Sequence, residues 1–174
     1  NNYGFKDSDS GNMEYSLRFT KGIRSFFIEP IEVLDINWRD FTFETHNGGV
    51  HIFSEHHPFE YTHGMHLSYW KGNYDTGFVF INNIDSNANN ESWVAQMDHL
   101  NSTKDVNGAI HLVYKSGGEP IDGKPDKGIY YTNNKSGSFS KPKKITTLTG
   151  RYSGGGQYAI ISGELGIHIV YPDD

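Results

Sequence analysis

Four of the nine histidines fall within eleven residues, at His56, His57, His63 and His66, with Glu55, Glu60, Tyr61, Tyr69 and Trp70 close by. Imidazoles beside carboxylates can ligate zinc or another transition metal. They can also take up a proton and neutralise an acidic substrate. The spacing fits no specific metal motif, so no metal ligands are assigned, and a plain polar loop is the competing reading. Arg151, in Arg151-Tyr152-Ser153-Gly154-Gly155-Gly156, would present a cation to an acidic glycan, or else sit in a long turn. As an enzyme, the chain would therefore act through His56, His57, His66, Tyr69 and Arg151. Trp70 and Tyr74, beside Gly72 and Asn73, together with Tyr152, offer aromatic faces that can stack on sugar rings; packing within the core is the alternative for each ring. Asp7-Ser8-Asp9-Ser10-Gly11-Asn12 opens like a calcium loop, but Arg18 stands at the twelfth position, where a carboxylate is needed. No cofactor is assigned; calcium is the one ion the pattern suggests.

These residues must be positioned by strands. Three segments read as strand, turn, strand with a histidine at the same place: Thr42–Thr45 into Val50–Phe53, Val94–Asp98 into Ile110–Tyr114, and Ala159–Ser162 into Ile167–Tyr171. Sixty residues separate His51 from His111, and fifty-seven separate His111 from His168. A period of that size made of short strands points to propeller blades or a related array. A further strand follows each Lys21-Gly22, Lys71-Gly72 or Lys135-Ser136-Gly137 turn, with Met13–Phe19 matched to Met65–Trp70 and to Ile129–Thr132. Pro30 and Pro142 stand just before the last strand of their units. That suits an edge strand, because proline cannot donate to a ladder. The polar run His99–Asp105 and the run Lys115–Asp126 read as loop insertions.

The expected fold is all-β, a propeller-like array of three four-stranded units at about 13–54, 64–114 and 128–171, behind a polar arm over 1–12. No helical period is sustained. The recurring His51, His111 and His168 line a channel in one reading. In the other, each hydrogen-bonds a neighbouring strand, and recurrence in every unit favours that structural role. Three units are too few to close an ordinary ring, so closure is expected from a homodimer or from an additional chain segment.

Composition narrows the function classes. The 174 residues carry 15 Lys plus Arg against 21 Asp plus Glu, a formal net charge of −6, which disfavours phosphate-driven binding to nucleic acid. There is no cysteine for a disulfide scaffold or a thiolate metal site. No stretch approaches the roughly 20 apolar residues of a membrane helix. The opening Asn1-Asn2 reads as that of a processed or excised product. Sequons at Asn90, Asn101 and Asn134 would be glycosylated only on a eukaryotic secretory route.

Asn107-Gly108-Ala109-Ile110-His111-Leu112-Val113-Tyr114, then Gly128-Ile129-Tyr130-Tyr131, then Ser136-Gly137-Ser138-Phe139-Ser140-Lys141-Pro142 resembles the blades of sialidase-like β-propellers. The likeness runs from about residue 13 onward. Ser136–Phe139 lacks the aspartate and tryptophan of that family's Asp-box turn. The arginines are Arg18, Arg24, Arg39 and Arg151 only, which show no triad to clamp a sialic acid. Val50–Pro58 followed by Met65–Trp70 is similar to the His-His strand end of propeller polysaccharide lyases of the ulvan lyase type, with Glu55 where that pattern has Asp. The first resemblance implies a secreted or cell-surface glycan-binding module, and the second a carbohydrate-active enzyme using histidine, tyrosine and arginine on a uronate. An architectural propeller that holds a partner protein is the remaining alternative.

Overall fold

The computed structural model describes residues 4–7, 13–19, 22–23, 26–27, 31–35, 38–56, 66–86, 97–116, 128–147 and 158–171, with side chains from 41–54, 66–85, 99–115, 128–147 and 158–171. Among these residues the chain is all-β. The amino-terminal strands are β1 (Gly4–Asp7), β2 (Met13–Phe19), β3 (Gly22–Ile23), β4 (Phe26–Phe27) and β5 (Ile31–Asp35). They are followed by β6 (Trp38–His46), β7 (Gly49–His56), β8 (His66–Asn73) and β9 (Gly77–Ser86), which form sheet 1. Sheet 2 is β10 (Met97–Lys104), β11 (Ile110–Ser116), β12 (Gly128–Asn133) and β13 (Lys143–Thr147). Sheet 3 is the pair β14 (Ala159–Gly163) and β15 (Gly166–Val170). Sheets 1 and 2 are antiparallel meanders in which strand order follows chain order.

The turns follow from local chemistry. Between β6 and β7 lies Asn47-Gly48, with φ of 49° and 74°. Positive φ at both central residues is what a type I′ hairpin turn requires, and Asn-Gly supplies it with least strain. Between β10 and β11, Asp105 Oδ1 accepts from the backbone N–H of Asn107 and of Ala109, both at 2.9 Å. Gly108 in that turn has φ 84°, and a Cβ there would collide with the His46 ring of sheet 1. The glycine thus serves both the turn and the close approach of two sheets.

The sheets stack face to face. Phe53, Leu67, Leu100, Ile110, Leu112 and Tyr114 fill the space between sheets 1 and 2. Val113, Ile129, Tyr158 and Ile160 fill that between sheets 2 and 3. In β7 and β11 consecutive residues are buried, Val50–Ser54 and Ile110–Lys115, as in strands covered on both faces. In β15 exposure alternates, with Ile167 and Ile169 half-buried between exposed neighbours, so one face alone is covered.

Several expectations meet corrections here. The run His99–Lys104, read as a loop because it is polar, belongs to β10. Leu100 is buried, while Ser102 and Lys104 bond across to sheet 1 through Glu44 Oε1 and the Thr45 carbonyl. Polarity there marks inter-sheet hydrogen bonding. Within the 1–12 arm, Gly4–Asp7 forms a strand paired with β2. Hydrogen-bonded sheets run from 38 to 86 and from 97 to 147, so the units 13–54, 64–114 and 128–171 each start in mid-sheet. Pro30 and Pro142 do immediately precede the edge strands β5 and β13.

One irregularity recurs. The ladder shifts register between Leu17 and Arg18 in β2–β5, between Leu67 and Ser68 in β8–β9, and between Ile129 and Tyr130 in β12–β13. Bulges are positional features of a fold, and these three align Leu17 with Leu67 and Ile129. The match of Met13 to Met65 is therefore off by two residues.

Candidate functional site

Because the sheets are meanders, their two ends differ. The tight turns 46–49, 73–77 and 105–109 lie at one end. The segments joining β7 to β8, β9 to β10, β11 to β12 and β13 to β14 leave from and return to the other. His66 and Asn73 begin and finish β8, which puts them roughly 23 Å apart at about 3.3 Å per residue. The two residue sets expected from sequence are thus divided. His56 and His66 lie at the long-connection end, and Asn73 and Tyr74 at the tight-turn end. His57, Arg151 and Tyr152 lie outside the described residues, as does Ser8–Asn12 of the calcium-like pattern.

The sheet also divides the histidines from Tyr69. His56 and His66 are directly opposed in the β7–β8 register, and Phe53 opposes Tyr69. Strand side chains alternate faces, so His66 and Tyr69, an odd number apart, project from opposite sides. The Tyr69 hydroxyl is 2.7 Å from His51 Nδ1, and its ring stacks on His51 and on Phe53 at 5.7 and 5.2 Å. Burial raises its pKa. His51 is 5% exposed. Burial, then the nearby Lys71, His46 and Lys104, lower its pKa to about 4. Near neutral pH this is an uncharged, tightly packed pair with a weakly basic imidazole.

Sheet 2 repeats the pair and completes it. His111 Nδ1 lies 2.7 Å from the Tyr131 hydroxyl, and its Nε2 lies 3.2 Å from Asp105 Oδ2. Burial lowers the His111 pKa, outweighing the hydrogen bond and charge of Asp105. Although desolvation opposes it, Asp105 is held below its usual value by hydrogen bonds from His111, Ala109 and Asn107. In sheet 1, His51 Nε2 is buried with no such partner among the described residues. The structural reading of the recurring histidines therefore holds for His51 and His111, each tied to the next strand. His168 on β15 is exposed.

At the long-connection end, the Tyr114 hydroxyl donates to Asp85 Oδ2 at 2.6 Å and ties sheet 2 to sheet 1. Burial, then the charge of Asp85, raises the Tyr114 pKa far out of reach. Asp85 also acts on half-buried His66, whose pKa burial lowers against the carboxylate's opposing pull. Sequence reasoning missed Asp85, which sits in an Asn-rich stretch with no motif around it. The arrangement sets an uncharged imidazole beside Asp85 at the end of the sheet where β7 and β9 finish and β8 begins.

Of the expected sugar-contacting residues, Asn73 uses its Oδ1 to accept from the N–H of Asp75 and of Thr76, shaping the β8–β9 turn. Tyr74 is half-buried. Trp70 meets Phe80 edge-on at 5.1 Å, and Phe80 is 48% exposed on the edge strand β9. Asn101 Nδ2, the atom a glycan would occupy, is turned to the carbonyls of His99 and Tyr158. Among the described residues no three His, Cys, Asp or Glu side chains gather to hold a metal, and no helix is long and apolar enough to cross a membrane. No protein-family model and no curated protein matches the chain.

Proposed function

We propose that the chain is a carbohydrate-binding module of propeller-like architecture, acting outside the cell, with Trp70 and Phe80 as its stacking platform. The observation that carries this reading is the Trp70–Phe80 pair itself. It sets two aromatic rings edge-on, 5.1 Å apart at an interplanar angle of 65°, across β8 and the edge strand β9, next to exposed Val79 and Ile81. Aromatic faces suit the C–H faces of pyranose rings. On a glycan array, the intact protein is expected to bind, and Trp70→Ala and Phe80→Ala each to lower affinity at least about tenfold, or roughly 1.4 kcal/mol. Absence of binding to every sugar would remove the reading.

A second reading, a polysaccharide lyase or sialidase-like glycosidase, is favoured by the opposition of His56 and His66 beside Asp85 at the long-connection end. Arg151 belongs to the segment joining β13 to β14, which leaves from that same end. Incubation with a broad panel of uronate-containing polysaccharides is expected to raise ultraviolet absorbance from an unsaturated product, and His66→Ala to lower the rate about a hundredfold or more. Flat absorbance across the panel removes the lyase.

A further inference from the structure

Sheet 3 has two strands where sheets 1 and 2 have four. Its β14 and β15 correspond to the first two strands of those sheets, as the histidine positions show. The edge of β7 is covered by β8, with His51 opposite Lys71, and the edge of β11 by β12, with His111 opposite Asn133. No strand covers the free edge of β15 among the described residues. Its outer face is open as well: Ile161 is 62% and Val170 66% exposed, and His168 lies between them in the ladder. The equivalents of Val170 and His168 are buried: Phe53 and His51 in sheet 1, Val113 and His111 in sheet 2.

The chain contains the matching strand. The shared bulge aligns Leu17-Arg18-Phe19-Thr20-Lys21-Gly22 with Leu67-Ser68-Tyr69-Trp70-Lys71-Gly72. The bulge in β12–β13 and the prolines at 30 and 142 give the same alignment from sheet 2. Carried to sheet 3, both registers set His168 opposite residue 21, Val170 opposite Phe19 and Tyr171 opposite Arg18. β1 pairs with β2 only at Met13–Ser16, which leaves that part of the edge clear. Charge agrees. Residues 17–24 carry Arg18, Lys21 and Arg24 and no acid, whereas 164–174 carry Glu164, Asp173 and Asp174 and no Lys or Arg.

Within one chain the two halves lie at opposite ends of the stack. β5 contacts β9 of sheet 1, and β14 contacts β10 and β11 of sheet 2. Stacked sheets stand about 10 Å apart, whereas paired strands need about 4.8 Å. We propose that β15 of one copy pairs antiparallel with β2 of a second copy, so that β14 and β15 of one chain and β2 and β5 of the other make a composite four-stranded sheet. The contact is head-to-tail, and such contacts close into rings when the rotation allows. Reciprocal exchange between two copies gives six sheets, within the range of closed propellers.

The protein has no cysteine of its own, so paired single variants report the register directly. Val170→Cys chains mixed with Phe19→Cys chains under mild oxidation are expected to give a two-chain disulfide product. Val170→Cys mixed with Tyr15→Cys, displaced by about 13 Å along β2, is expected to give little. Light scattering on the unmodified protein should return the mass of two chains. Val170→Glu, at a position already exposed in one copy, should weaken the dimer about tenfold or more by burying a charge in the composite sheet. A one-chain mass, a cross-link formed within a single Phe19→Cys/Val170→Cys chain, or a cross-link only at the displaced position would each overturn the proposal.

Discussion

Phe53→Ala is expected to cost about 3–5 kcal/mol, the range for truncating a buried phenylalanine, and to bring the chain close to unfolding, since domains are stable by only about 5–15 kcal/mol. Phe53 is fully buried at the centre of the contact between sheets 1 and 2. Its ring stacks on Tyr69 and meets Phe139 of sheet 2 edge-on at 5.4 Å. Tyr69 and Phe139 are themselves in edge contact at 5.5 Å, so removing the third ring leaves a cavity its neighbours cannot close without losing each other. The comparison is Phe43→Ala, which removes the same side chain from an exposed site on β6. There the change should stay near 0.5 kcal/mol. Urea midpoints for the two variants decide the matter, and equal shifts would mean that the sheet 1–sheet 2 contact is not the core of the fold.

The second large effect is on pH. An unfolded histidine titrates near 6.5, its ordinary value, whereas burial brings His51 in the folded chain down to about 4. Between those values the unfolded chain binds a proton that the folded chain refuses, so stability falls as pH falls from 6.5 to 4 and is flat, for this group, above 6.5. The loss is on the order of 2–3 kcal/mol after allowance for solvent screening. His66 and His111 are shifted in the same direction and add to the slope. Asp105 acts further down: its contribution is present above the unfolded carboxylate value, about 3.9, and is lost as pH falls through its depressed folded value. His51→Gln should therefore flatten the decline in unfolding free energy between pH 7 and pH 4.5, whatever it does to stability at pH 7. A decline of unchanged steepness in that variant would show that His51 does not carry it.

Much of the scaffold was legible from residue patterns. The strand–turn–strand pattern of Thr42–Thr45 into Val50–Phe53 announced the β6–β7 hairpin, and Pro30 and Pro142 announced the edge strands. The recurrence of His51 and His111 correctly suggested a bond to a neighbouring strand. β10 was not legible, because Asn101, Ser102, Thr103 and Lys104 are the residues of a loop until a second sheet supplies their partners. The candidate site was legible as a list and not as a place. His66 and Tyr69 are three apart in sequence, yet the pleat sends them to opposite faces. Asn73 is close in number to both and lies at the far end of the strand. Asp85 had no local signal, because what singles it out is Tyr114, which belongs to another sheet.

Sheet 2 has neighbours on both faces, and nearly all pairing within each sheet is between strands consecutive in the chain. Such a stack behaves as a one-dimensional array whose members are held by their own hairpins and by the sheets next to them. Loss of order then has a direction. It starts from sheet 3, which has two strands and, along β15, one covered face, and travels inward. Sheet 2 is the last to give way, and its Asp105–His111–Tyr131 clasp is the part of the molecule that a departing neighbour would disturb least.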